Sequence, residues 1–240
     1  MRHANGPCFN PYKLNIMLRP EGERARCGGA LTRFRDDLEE VLREIKSRVG
    51  KAEYVKLLTL KDRLVEMHDR NLVKINHSVM ELISAMHLVV SGFDVEVEHE
   101  LEKVSCDVYA VKGFGSVIVE VETGFVPPEH ALNPATYCKA RIASKITRYG
   151  NYSDKFALGV PPYYILQIPP ALTKPPRYRR PKELEEIKNY CDLYYKNPPV
   201  SLEEIRNARL HAVYIIDVNG TAVKEIDPDT YIENMIYWSY

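Results

Sequence analysis

The chain has 240 residues, enough for one large domain or for a core with an appendage. Hydrophobic residues at 45%, charged residues at 28%, 12 Gly and 16 Pro exclude a collagen-like or largely disordered chain, and no apolar run approaches the roughly 18 residues of a membrane span. The 33 basic and 33 acidic residues cancel, which excludes a globally basic nucleic-acid binder but not a locally basic surface.

The opening MRHANGPCFNPYK lacks the apolar core of a signal peptide, so export by that route is not expected. Residues 31–49 place Leu31, Phe34, Leu38, Val41, Leu42, Ile45 and Val49 on one stripe, the spacing of an amphipathic helix. Residues 53–70 repeat that character with Leu57, Leu58, Leu60, Leu64 and Val65. The pair reads either as a helical hairpin packed on the core or as a dimerisation arm. A third helix is predicted from about Asn76 to Val90, closed by Gly92. The period then changes to two. FDVEVEHE and CDVYAVKG read as strands, and SVIVEVETG as a third whose Val117-Ile118-Val119 run suggests burial on both faces.

Helical spacing returns over 134–149, and KFALGV at 155–160 is a short apolar strand. Prolines 161, 162, 169, 170, 175, 176 and 181 mark an extended, surface-hugging stretch. A helix at about 182–195 follows, then one opened by the capping box of Ser201 and Glu204, then a final strand at 211–217 with a turn at 218–220. This order predicts an α/β fold: a mixed sheet flanked by helices, with residues 1–75 as an N-terminal helical arm and 76–240 as the core.

The five cysteines, Cys8, Cys27, Cys106, Cys138 and Cys191, are odd in number and form no CxxC pair, which argues for a reducing, cytoplasmic setting. Gln167 is the only glutamine, while Glu and Lys are abundant, a balance expected of a thermophile. The histidines show no close pair of metal-binding spacing and are read as structural, His77 and His87 among them. Cys106 and Cys138 are read as buried, inert thiols. No GxxxxGK[ST] or GxSxG supports ATP-driven or serine-hydrolase chemistry.

The third strand carries the chemistry. Glu120 and Glu122, two apart, share a face with side chains roughly 6–7 Å apart. Buried carboxylates need a partner, a hydrogen bond or a metal. A hairpin around Gly113–Gly115 brings Asp107 towards them, and three converging carboxylates suit Mg²⁺ or Mn²⁺. From Phe93 to Glu122 there are eight acidic residues and two basic ones; from Lys139 to Lys182 there are ten basic residues and one acidic. Arg141, Ser144, Lys145 and Arg148 fall on one helix face, and KPPRYRRPK interleaves Tyr178 with Lys174, Arg177, Arg179, Arg180 and Lys182. Such a surface suits a phosphate backbone.

At these residues the chain resembles the restriction-endonuclease-like, or PD-(D/E)xK, nuclease superfamily, over roughly residues 76–160. Glu81 resembles the family's first-helix glutamate, Asp107 its metal-binding aspartate, and Glu120-Val121-Glu122 its (D/E)-x-K pair. The resemblance implies an α-β-β-β-α-β core and a DNA nuclease dependent on Mg²⁺ or Mn²⁺. Asp107 and Glu120 would be the ligands, and Glu81 would support them or a second ion. The departure is Glu122, where the family usually has Lys; Lys145 on the next helix would supply the missing cation, with Glu122 or Lys145 acting on the attacking water. Arg141, Lys145 and Arg148 would take phosphate oxygens. The chain also resembles nuclease-fold proteins of crenarchaea and their viruses, which implies an archaeal source. The competing expectation is a catalytically inactive DNA-binding or assembly protein on the same fold. A carboxylate-pair glycosidase ranks last, because neighbouring acids on one strand cannot flank a glycosidic bond from both sides.

Overall fold

The structure, a computed structural model, describes residues 29–70, 73, 75–102 and 104–236; the opening segment, Cys8 and Cys27 lie outside them. Three helices come first: α1 (Gly29–Ile45), α2 (Lys51–Asp69) and α3 (Ile75–Val90). The helix expected over 31–49 stops at Ile45, and a turn leads to Gly50. Gly92 closes α3 as expected. Its φ of +83° suits a residue without Cβ, and Phe93 N donates back to Leu88 O at 3.0 Å.

The antiparallel meander β1 (Asp94–Glu100), β2 (Ser105–Lys112) and β3 (Gly115–Val121) follows. Helix α4 (Pro134–Tyr149) then crosses the sheet and returns the chain to β4 (Lys155–Val160), parallel to β3. After the Pro-rich stretch come α5 (Pro181–Tyr194), α6 (Leu202–Asn207) and β5 (Ala212–Asp217), parallel to β4. The strand expected to be the last is not. β6 (Ala222–Ile226) pairs antiparallel with β5, and α7 (Pro228–Ile236) ends the described chain. β6 escapes a reading of hydrophobic period because, at the sheet edge, all five of its residues stay exposed or half-buried. The cue for α7 was Asp227-Pro228: Asp227 Oδ1 accepts from Asp229 N and Thr230 N at 3.0 and 3.1 Å, an N-cap with Pro at the first helical position.

The six strands form one mixed sheet in the order β1-β2-β3-β4-β5-β6. Two hydrophobic layers clothe it. Leu38, Leu42, Ile45, Leu57 and Leu64 of α1 and α2 pack with Leu82, Ala85 and Val89 of α3 against Val97, Val108, Val119 and Val121. On the other face Ile142, Ala143 and Ile146 of α4 meet Ile118, Phe156 and Leu158, joined by Ile187, Ile205 and Tyr231. The stripes of α1 and α2 are thus buried in the chain's own core. The Pro-rich stretch also does more than hug the surface: Leu166, Ile168, Ala171 and Leu172 are buried in the second layer. Among the described residues no helix is long and apolar enough to cross a membrane.

Candidate active site

The β2–β3 ladder runs from Lys112↔Gly115 to Val108↔Val119 and stops one residue short of Asp107 and Glu120. Beyond it the carboxylates take over from backbone carbonyls. Asp107 N donates to Glu120 Oε1 at 3.0 Å, and Val121 N donates to Asp107 Oδ2 at 2.6 Å. The strands therefore stay joined while both acids are held at the gap, as the hairpin reading expects. The bridges Val97↔Val108 and His99↔Cys106 leave Glu98 opposite Asp107 on β1. Glu98 has φ +48°, a left-handed conformation that costs on the order of 1–2 kcal/mol in a non-glycine residue. At this point the sheet changes face: Val108 packs on the α3 side, Cys106 on the α4 side.

On the α4 side, strand alternation aims Ile118, Glu120 and Glu122 at the helix, and the two acids are 2% and 1% exposed. Lys145 Nζ lies 3.1 Å from Glu120 Oε2 and 3.9 Å from both Asp107 Oδ2 and Glu122 Oε2. It also donates to Val121 O at 2.7 Å. One helical turn earlier, Arg141 Nε donates to Glu122 Oε2 at 2.7 Å, and Gly124 N donates to Glu122 Oε1 at 3.2 Å. Burial pushes the Glu120 carboxyl up to about 8, reinforced by Asp107 and opposed by Lys145 and the Asp107 N–H. Burial also works against a charged Lys145, but Glu120, Asp107 and Glu122 outweigh it and hold the ammonium above its ordinary range.

On the α3 side, Glu81 is fully buried and neither of its carboxylate oxygens has a hydrogen-bond partner. Burial, then Asp107, Glu98 and Glu120, push its carboxyl well above the usual range. The Glu98 carboxyl rises to about 7, through burial first and then Asp107, against Arg63 and Lys145. One turn before Glu81, His77 brings a ring nitrogen into the same space. A ligand atom from each of His77, Glu81 and Asp107 lies within 4.8 Å of the other two, the one such group among the described residues. Burial lowers the His77 pKa, which favours the neutral imidazole that metals bind. Partnerless buried carboxylate oxygens, a second acid and an imidazole fit a divalent cation.

All four acids expected at the site, Glu81, Asp107, Glu120 and Glu122, come together there, with Arg141 and Lys145. Two details differ from expectation. Glu120 is not in the group with ligand spacing; it is taken up by Lys145 and Asp107 N. His77, set aside with the other histidines, is in that group. A search for paired histidines overlooks it, because its partner is an acid four residues on, on the same helix face.

The basic residues divide. Arg148 donates to Tyr195 O at 3.0 Å and to Pro198 O at 2.9 Å, tethering that segment instead of facing the carboxylates. Arg179, expected at a phosphate-binding surface, is only 8% exposed and donates to Ile205 O, Arg206 O and Lys174 O at 2.7–2.9 Å. The reason is physical: Ile205 and Arg206 end α6, where carbonyls lack helical partners, and the guanidinium satisfies them. Lys174 and Arg180 pair with Glu183 at 2.9 and 3.4 Å. Arg177 stays exposed, 4.8 Å above the Tyr178 ring. Cys106, Cys138 and Cys191 are buried free thiols, and burial pushes the Cys106 thiol up, away from nucleophilic use.

No protein-family model, curated protein or solved structure matches the chain, so its chemistry rests on this geometry.

Proposed function

We propose that the protein is a metal-dependent nuclease that hydrolyses DNA phosphodiester bonds on a restriction-endonuclease-like core formed by α3, β1, β2, β3, α4 and β4. The observation that carries this reading is the contact of 3.1 Å between Lys145 and Glu120. A lysine two residues after Glu120 would stand beside the same carboxylate; here Glu122 occupies that position and the ammonium arrives from the next helix. Asp107 and Glu81, with His77 beside them, would hold Mg²⁺ or Mn²⁺, and Glu120 would join them on giving up Lys145. A bound ion there would acidify a water and offset charge on the phosphate.

The chain's own groups then divide the work. Glu122, held by Arg141 and Gly124 N, would accept a proton from the attacking water. Lys145 and Arg141 would have to leave their carboxylates to reach phosphate oxygens, where Lys145 would offset the charge that develops in the transition state.

One observation favours a second reading, a non-catalytic DNA-binding or assembly protein on the same core. Lys145 and Arg141 are engaged with Glu120 and Glu122, contacts that either cation must give up before it reaches a phosphate. Cleavage assays on single-stranded, duplex and branched DNA with Mg²⁺ or Mn²⁺ separate the two. The nuclease reading expects cleavage that Asp107→Ala abolishes. It expects Lys145→Ala to slow cleavage about a hundredfold or more with affinity changed little, as for a contact made in the transition state. DNA that is bound but left intact with either ion favours the second reading.

A further inference from the structure

We infer that Phe125 and Tyr163 form a stacking platform for unpaired bases beside Glu122, and that the DNA taken there is single-stranded. The inference rests on the proposed function for DNA as the ligand, but neither residue belongs to the cluster of acids and cations. Strands β3 and β4 run parallel, with Val121 beside Gly159, and so leave the sheet at the same end. Just beyond, Glu122 N donates to Gly159 O at 2.7 Å, and Gly124 N donates to Glu122 Oε1 at 3.2 Å. Gly124 has φ +78°, and a Cβ there would collide with the Tyr164 ring. That close approach holds the exits of the two strands together. Phe125 follows Gly124 and Tyr163 precedes Tyr164, so one aromatic residue stands on each side of the contact, next to the segment that carries Glu122.

A single exposed apolar side chain is ordinary on a protein surface. The setting of these two is not. Four aromatic side chains are exposed among the described residues. Phe114 tips the β2–β3 hairpin, at the far end of β3 from Glu122, and Tyr178 has Arg177 over its ring. The remaining two, Phe125 at 61% and Tyr163 at 83% exposure, fall together at the end where the acids lie. Their backbone is held. Tyr164 N closes the turn behind Tyr163 by donating to Pro161 O at 3.1 Å, and the buried Tyr231 donates its hydroxyl to Tyr164 O at 3.5 Å. Open rings on a fixed backbone give up little freedom when a flat partner stacks on them. Nucleobases are flat partners of any sequence, and their faces are open in a single strand but covered by neighbouring pairs in a duplex. Bases flank each phosphodiester, so rings beside Glu122 stand where the bases next to a bond presented to the acids would fall.

The test reads binding apart from cleavage. The full chain, with a chelator present, is titrated into a labelled single-stranded oligonucleotide and into a duplex of the same length, and affinity is followed by fluorescence anisotropy. Expected is single-strand affinity at least tenfold above that for the duplex. An oligonucleotide carrying 2-aminopurine should lose fluorescence on binding as the base stacks, a readout on the unaltered protein that does not depend on any variant folding. Phe125→Ala and Tyr163→Ala should each weaken single-strand binding about tenfold, with the salt slope and duplex affinity unchanged. Tyr163→Phe should restore the affinity and Tyr163→Leu should not, because the ring face is what binds. Equal affinity for the two DNAs, Tyr163→Phe as weak as Tyr163→Ala, or equal losses on duplex overturns the inference. With Mg²⁺ or Mn²⁺ then added, single strands bound through the rings but left intact uphold it and overturn the nuclease reading. Duplex cleaved with both rings removed, as fast as by the unaltered chain and faster than single strands, overturns the inference and leaves the nuclease reading standing.

Discussion

Glu81 and Glu120 share a predicament that sets the pH response of the molecule. Each is buried, and burial is the first cause of its raised pKa, well above the usual range for Glu81 and about 8 for Glu120 against an ordinary 4.5. A carboxyl raised in the fold binds more protons folded than unfolded. Its contribution is fully present below about pH 4.5 and is lost as the pH climbs through the folded value, at up to about 1.4 kcal/mol per pH unit for each group. Glu81→Gln keeps the shape of the protonated acid and acquires no charge. With a chelator present, it is expected to leave the melting temperature nearly unchanged at pH 5 and to raise it by several degrees at pH 8.5. An equal shift at both pH values, or a loss at pH 8.5, would contradict the placement of a partnerless acid. At this scale the site was largely legible in the sequence. Alternation along β3 and the hairpin turn put Glu120, Glu122 and Asp107 within reach, because strand geometry admits one side-chain period. His77 was not legible, since its nearness to Glu81 and Asp107 depends on where α3 lies over the sheet.

Among the elements, the run from Lys174 to Lys182 shows how a charge pattern divides once folded. As sequence it is a single basic stretch. As structure, its turn at Pro176–Tyr178 leaves Arg177 outside and drives Arg179 inward under the end of α6. Losing hydrogen bonds between a buried guanidinium and carbonyls costs about 1.5–3 kcal/mol, and a lysine cannot reproduce the planar fork. Arg179→Lys should therefore lower unfolding stability by about 2 kcal/mol in a denaturant titration, with DNA affinity following only the folded fraction. Arg177→Ala should leave stability untouched and weaken DNA binding, reducing the salt slope by about one unit. If the two variants exchange these phenotypes, the division is wrong. α6 itself obeys its local signature: Ser201 Oγ accepts from Glu204 N at 3.1 Å while Ser201 N donates to Glu204 Oε2 at 2.6 Å.

For the whole molecule, the open question in the sequence was whether the first two helices serve this chain or a second copy. Leu38, Ile45, Leu57 and Leu64 are completely buried in the layer that covers α3 and the sheet. Burial of each such side chain is worth about 2 kcal/mol, together comparable with the about 5–15 kcal/mol that holds a typical domain folded. A chain lacking residues 1–70 should accordingly lose its cooperative thermal transition and expose apolar surface to a dye such as ANS, instead of surviving as a stable core. A truncated chain that melts cooperatively, with full-length chains of dimer mass by light scattering, would return the arm to a role between copies.

The sequence alone determined the elements and their order as far as β5. Three-four spacing, period two and the Gly and Ser punctuation are local properties, so an α/β chain with a mixed sheet and an acid-bearing third strand could be read from them. β6 and α7 lay beyond that signal, because an exposed edge strand carries no apolar alternation and α7 announced itself only by a cap. Tertiary structure decided the rest. It set which of ten nearby cations meet the carboxylates and which tie down loops. It brought Glu98 opposite Asp107, and it left Glu81 without a donor beside His77. Those outcomes depend on how strands pair in register and how helices are placed over the sheet, and no spacing along one chain segment encodes the distance between two of them.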